Sequence, residues 1–233
     1  MLVLVKKRNI LVLLLCLIFL FSITVGVYIN NASTVTPVYD YVIVIDAGHG
    51  GIDGGVVGAS GQTKESDINL EYALCLATYF NSMNCKVVQT RTTQDGLYSM
   101  FSTNKKMDDM KKREEIINNA EPDIVISIHQ NGFVLENQRG IGTFFNPNVE
   151  GSQELAEFMQ SRFQATFEYA RVSALAGDYF ILNCSPYNSV LVECGFLTNP
   201  EEEILLNTEE HKLKVCYQIF CSIIGYLITS RTF

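Results

Sequence analysis

Two of the three histidines in this chain sit where apolar, β-branched runs end. Tyr41-Val-Ile-Val-Ile-Asp46 leads into Ala47-Gly48-His49-Gly50-Gly51, and Asp123-Ile-Val-Ile-Ser-Ile128 leads into His129. A third run, Ser189-Val-Leu-Val192, ends on Glu193. Short, nearly continuous Val/Ile/Leu runs are the signature of buried parallel strands. Ligands of open α/β sheets bind outside the carboxyl ends of such strands. Two imidazoles and a carboxylate brought to one sheet edge are the donor set of a metal-centred hydrolytic site.

Each residue also has a plainer reading. His49 lies among glycines that let the backbone turn tightly and bring the ring close to an ion, though a surface turn would look the same. His129 closes a buried strand, where a hydrogen-bonded core histidine is the alternative. An open catalytic zinc site needs a third protein ligand, and His₂Glu with water is a known set. Glu65, just ahead of a helix in the loop after His49, is the best placed. Asp53 and Asp67 compete with it, and spacing does not separate the three. Glu193 ends an apolar strand, where a carboxylate is costly to bury without a partner or a task. Beside a metal-activated water it would act as proton acceptor and donor; the alternative is a structural pair with Arg91 or Arg113. Cys194 follows it and faces the other side of the strand, which argues against a Cys194–His nucleophile. His211, beside Glu209 and Glu210, reads as a solvated surface residue.

The elements that position these residues alternate. The pattern predicts strands at 41–46, 86–91, 123–129, 142–145, 179–182 and 189–192. It predicts helices at 66–84, capped by Ser66, at 105–119, at 152–169, capped by Ser152, and at 208–229. Leu213, Tyr217, Phe220, Ile224 and Leu227 are the expected inward stripe of the last helix. The result is an α/β fold, a mostly parallel twisted sheet with helices on both faces.

Ahead of this domain, Lys6, Lys7 and Arg8 precede an uncharged apolar stretch from Ile10 to Ile29. Roughly 20 residues suffice to cross a hydrocarbon core. Asn30-Asn31-Ala32 is a poor cleavage site for a signal peptide, so a retained membrane anchor is expected. The organisation is then a cytoplasmic tail at 1–9, a transmembrane anchor at 10–29, a linker at 30–40 and an extracytoplasmic catalytic domain at 41–233. The net charge of −8 and the absence of a basic patch with interleaved aromatics argue against nucleic acid as a partner. The seven cysteines are scattered, without a Cys-x-x-Cys pair, and give no disulfide pattern.

Taken in order, several segments resemble the zinc-dependent N-acetylmuramoyl-L-alanine amidases. They are Asp46–Gly51, Lys64-Glu65 leading to Asn69-Leu70, Thr90-Arg91, Arg113, Ser127–Asn131 and Leu191–Glu202, and the likeness runs from Tyr41 to Phe233. The resemblance implies one Zn²⁺ held by His49, Glu65 and His129, and Glu193 as catalytic acid/base. It leaves Arg113, Gly51 and Asn131 as residues for substrate contact or support of the site. Ala47, Gln130, Cys194 and the loop between Thr92 and Lys105 depart from the usual pattern. The build, one anchor and one catalytic domain without wall-binding repeats, is similar to the amidases that prepare spore-cortex peptidoglycan for muramic δ-lactam formation. That implies peptidoglycan as substrate, membrane attachment through the N-terminal helix, a location between the spore membranes, and a recruiting or activating protein partner. Two rivals remain on residues alone: a non-haem iron enzyme, which also uses two histidines and a carboxylate, and a non-catalytic wall-binding protein with the same fold.

Overall fold

The computed structural model describes residues 14–22 and 40–230. They belong to two units, Met1–Pro37 and Val38–Phe233. In the first, residues 14–22 are helical and expose apolar side chains such as Leu17 and Phe19. The rest of the expected 10–29 anchor, the 1–9 tail, and the 30–40 linker apart from Asp40 lie outside the described residues.

The second unit is built on six strands: β1 (Val42–Ala47), β2 (Lys86–Gln89), β3 (Ile124–Asn131), β4 (Gly142–Phe145), β5 (Leu175–Ala176) and β6 (Ser189–Phe196). Their order across the sheet is β2-β1-β3-β6-β4-β5. The four strands from β2 to β6 are parallel, whereas β4 runs antiparallel to β6 and carries β5 alongside it. The sheet is therefore mixed, with its reversed strands at one edge.

Helices cover both faces. On one side Ile43, Ile45, Ile126, Ile128, Val190 and Val192 pack in one core cluster with α1 (Glu65–Ser82), α3 (Ser152–Thr166) and α6 (Glu209–Ser230). On the other, Val44, Val125, Phe144 and Leu191 meet Ile117 of α2 (Lys105–Ala120) and Ile181 and Leu182 of α4 (Phe180–Asn183). Alternate residues of each strand serve alternate faces, as the pleat requires. Among the described residues, α6 is the one helix long and apolar enough to span a membrane. Its Val215, Cys216, Ile219 and Ile223 are fully buried in the core, which accounts for that apolarity.

Several expected details change. The run 179–182 is not a strand: Phe180–Asn183 is a single helical turn, because a four-residue apolar run carries no periodicity to tell the two apart. The neighbouring edge strand is the two-residue β5. Helix α1 begins at Glu65 with Lys64 as its N-cap and no side-chain cap, so Ser66 lies inside the first turn. Helix α3 starts after Gly151, and Ser152 Oγ instead accepts a hydrogen bond from Ser189 N at 3.0 Å. Ile224 and Leu227 are buried as expected, whereas Leu213 and Tyr217 are exposed, because the first half of α6 turns Val215, Cys216 and Ile219 inward instead. Helix α5 (Pro200–Leu206) had no counterpart in the pattern. It is started by Asn199, whose side chain accepts from the N–H groups of Glu201 and Glu202, with Pro200 in the first turn.

Candidate metal centre and the adjoining carboxylate

The face of the sheet that packs on α2 is apolar at Val44, Val125 and Leu191 and becomes polar two residues further along each strand. Those next residues are Asp46, Ser127 and Glu193, with His129 two beyond Ser127. Asp46 is the buried anchor of this polar layer. It accepts from Ser127 Oγ at 2.6 Å, Thr90 Oγ1 at 2.7 Å and Arg113 Nη1 at 2.6 Å. Burial alone would raise its carboxyl, but Arg113 and the hydroxyls outweigh that and hold it at about 2.

Two arginines fix the loop that leaves β1. Arg91 donates to the carbonyls of Ala47 and Gly48, each at 2.9 Å, and to that of Ser66 at 2.8 Å. Arg113 donates to the carbonyls of Ala47 and His49 at 2.7 and 2.6 Å and to Asp109 at 2.7 Å. Neither has Glu193 as its partner. Arg113 is 2% exposed, and its contacts are to Asp46, Asp109 and the two loop carbonyls. The loop it grips holds His49 at φ 61°, a conformation uncommon outside glycine. Gly48 permits the approach of the second ring, since a Cβ there would fall 2.2 Å from His129 Nε2.

The structure brings His49, Glu65 and His129 together, with one donor atom from each lying within 4.8 Å of the others. Glu65 Oε1 is 3.2 Å from His49 Nε2 and 2.9 Å from His129 Nδ1. The two rings meet edge to face, 5.0 Å between centroids. Glu65 is 2% exposed, and backbone N–H groups of Val56 and Gln130 donate to it at 2.8 and 3.2 Å. Asn69, one turn along α1, donates to both Glu65 Oε1 and the Gly48 carbonyl. Burial would raise the Glu65 carboxyl, but hydrogen bonds and charge from the two imidazoles hold it well below the usual carboxylate range. An ionised carboxylate and two imidazoles, converging on one point and held from behind, fit a Zn²⁺ ion by donor type and number.

The competing carboxylates are placed elsewhere. Asp53 Oδ1 stands 3.0 Å from His49 Nδ1, on the far side of that ring, and Asp53 also pairs with Lys106. Asp67 is approached by the neighbouring Ser66 hydroxyl. Asn131 lines the cavity over the cluster, about 650 Å³ in volume. Gly51 packs against the 92–105 loop, its N–H donating to the Gln94 carbonyl at 2.8 Å. Gln130 is buried, with its amide donating to Asn69 at 3.3 Å, so it supports α1. His211 is half-buried beside Phe167, 5.7 Å between ring centroids, and burial pushes it down to about 4.

Glu193 lines the same cavity and is the register partner of His129. Its Oε2 is buried without a hydrogen-bond partner among the described residues. Burial pushes this carboxyl up to about 7, against the pull of the two imidazoles and Arg171 and with the Glu65 charge adding to the rise. Cys194 is buried on the opposite side of the strand, in the core shared with α1 and α6. Tyr179 and Arg171 lie close enough to Glu193 to interact with its charge, a long-range placement that no local sequence pattern carries.

Residues 43–224 match the N-acetylmuramoyl-L-alanine amidase family. The germination-specific N-acetylmuramoyl-L-alanine amidase of Bacillus subtilis is 29% identical over 195 residues, spanning 82% of this chain and 81% of that protein. The CwlD amidase from Clostridioides difficile, solved in complex with the GerS lipoprotein, superposes with a TM-score of 0.77 at 32% identity, over 82% of this chain and all of that one. An N-acetylmuramoyl-L-alanine amidase from Clostridium difficile 630 gives 0.72 at 29% identity, over 81% and 97% of the two chains.

Proposed function

This chain belongs to the N-acetylmuramoyl-L-alanine amidases, enzymes of peptidoglycan, and from that premise we propose a zinc-dependent amidase of the spore cortex. The observation that carries the zinc reading is the convergence of His49, Glu65 and His129 donors within 4.8 Å beneath an open cavity. Bound there, Zn²⁺ supplies Lewis acidity to the amide carbonyl and acidifies a water to roughly pKa 7.

The remaining steps belong to the chain. Glu193, buried and unpartnered at Oε2, accepts the attacking water's proton. A carboxyl held near 7 gives the proton up again, to the L-alanine amine as the bond to the lactyl carbonyl of muramic acid breaks. Asn69, Arg91 and Arg113 keep the donor atoms in place throughout, each through the backbone or carboxylate contacts described above. The deciding experiment digests purified peptidoglycan with the domain from Tyr41 onward, with and without Zn²⁺, and identifies fragments by mass spectrometry. Free stem peptides beginning with L-alanine, paired with unsubstituted muramic acid, are expected. Glycosidic fragments, or no zinc dependence, overturn the reading.

The cortex role is supported by the germination-specific relative and by the likeness to CwlD. The complex of CwlD with a lipoprotein supports a protein partner on the outer membrane face. The uncharged stretch from Ile10 to Ile29 behind Lys6, Lys7 and Arg8 supports membrane attachment with the catalytic domain extracytoplasmic, and the germination-specific relative supports a location between the spore membranes.

A further inference from the structure

Around the site stand three arginines with different employment. Arg91 and Arg113 spend their guanidinium groups on backbone carbonyls and buried carboxylates. Arg171 does not: its Nε is buried without a hydrogen-bond partner among the described residues. Its stem crosses β4 at Gly142, where an added Cβ would fall 2.4 Å from Cδ and 2.7 Å from Nε. Gly142 is the register partner of Glu193 on the antiparallel strand. Directly opposed residues of an antiparallel pair point their side chains to the same face, with Cβ atoms about 5 Å apart. Arg171 therefore occupies the side-chain position that Gly142 leaves empty, immediately beside Glu193. Its guanidinium lies over the Phe144 ring, 5.6 Å from the centroid, and Tyr179 packs edge-on against that same ring.

A structural ion pair would have joined Arg171 to Glu193, yet Arg171 Nε and Glu193 Oε2 are both left unpartnered. Burying an unspent guanidinium donor is costly unless something arrives to accept from it. A planar fork of donors matches a carboxylate better than a neutral acceptor. We propose that Arg171 is a specificity residue, holding a carboxylate of the stem peptide next to Glu193 on the leaving-group side of the scissile amide. The inference rests on the amidase reading for its substrate. In peptidoglycan such a carboxylate is offered by the second stem residue, when its side carboxyl is free rather than amidated, or by the peptide's C-terminus.

The test uses muropeptides in two pairs, one differing by amidation at the second stem residue and one by amidation of the C-terminus. Wild type and the Arg171→Ala and Arg171→Lys variants are compared for kcat and KM. Binding of the matching released stem peptides is measured by calorimetry, so the comparison does not depend on turnover. In one pair, the wild type should favour the free acid by about tenfold in KM and in stem-peptide Kd, the size of one charge-assisted contact. Arg171→Ala should abolish that preference and Arg171→Lys should keep part of it, with zinc content and melting temperature verifying the fold. The pair that responds identifies the carboxylate. Indifference of the wild type to amidation in both pairs overturns the proposal, as does a preference that survives in Arg171→Ala. Failure of the wild type to cleave any muropeptide would fall on the amidase reading, while the calorimetric comparison still decides for Arg171.

Discussion

Glu193 and His129 are register partners on adjacent parallel strands, so their side chains leave the same face of the sheet at the same height. Neighbouring strands lie about 4.8 Å apart, which sets a carboxylate one strand away from the donor cluster without including it. That spacing gives the two carboxylates different surroundings, as the proposed roles of metal ligand and proton carrier require. Glu65 comes from a helix start and converges with the imidazoles, whereas Glu193 comes from the next strand and keeps a free oxygen.

Substituting Glu193 should therefore separate chemistry from metal retention. Glu193→Gln keeps the shape and removes the base. Zinc content is expected to stay near that of the wild type, with kcat lowered at least about 100-fold. Metal analysis beside turnover of a muropeptide checks it. Wild-type turnover would remove Glu193 from the mechanism, and loss of zinc would move it into the donor set.

The donor residues should behave in the opposite way. His49→Ala, Glu65→Ala and His129→Ala are each expected to lose most bound zinc on dialysis against a mild chelator, with Asp53→Ala retaining it. Second-sphere support is worth about 10- to 100-fold in metal affinity, so Asn69→Ala should weaken zinc without abolishing binding. Full occupancy in all three donor variants, or iron as the metal that supports turnover, refutes the assignment.

What could be read ahead of the structure follows from the range of the forces involved. Strands β1, β3 and β6 were visible because a buried parallel strand is apolar on both faces, and their apolar runs led to His49, His129 and Glu193, although β3 continues past His129 to Asn131 and β6 past Glu193 to Phe196. Glu65 was harder. The capping pattern favoured Ser66, whereas helix α1 opens at Lys64 and turns Glu65 inward in its first turn. A place in the loop just ahead of a helix made Glu65 the best-placed third donor, but residue spacing could not exclude Asp53 and Asp67, and only the family resemblance implied the full set. Arg113 lies 67 positions from Asp46, and Arg171 meets β4 through a side chain laid over Gly142. Contacts of that kind have no local signature.

Arg113 gives a stability prediction. Its guanidinium bridges Asp46, Asp109 and two loop carbonyls while fully buried. Removing one partner of a buried pair strands the other charge, at a cost of about 3–5 kcal/mol. Arg113→Met is expected to lower the denaturant midpoint accordingly and to loosen zinc, because the His49 loop loses its anchor. An unchanged midpoint would show that Asp46 finds other compensation.

The membrane prediction concerns the unit before Pro37. The full chain is expected to sediment with membranes and to require detergent for release, and the domain from Tyr41 onward to remain in the supernatant with the same muropeptide kcat. High salt is expected not to release the full chain, the behaviour of attachment through apolar surface rather than charge. Release by salt alone, or cleavage near Ala32 on export, would rule out a retained anchor.

Asp46 gives the pH dependence. Its carboxyl is held at about 2 in the folded protein, below an ordinary value of 3.8, so the unfolded chain binds the proton more readily. Stability from this group is then fully present above pH 4 and is lost as pH falls toward 2. The drop corresponds to about 2 kcal/mol, the same order as a few charge-assisted hydrogen bonds. Asp46→Asn should be less stable than wild type at neutral pH by an amount that shrinks between about pH 4 and 2. The comparison is best made by urea unfolding of metal-free protein, which keeps protonation of the zinc ligands from adding a metal-release step. A gap that stays constant across that window would mean the Arg113, Ser127 and Thr90 contacts do not hold the carboxylate in its ionised form.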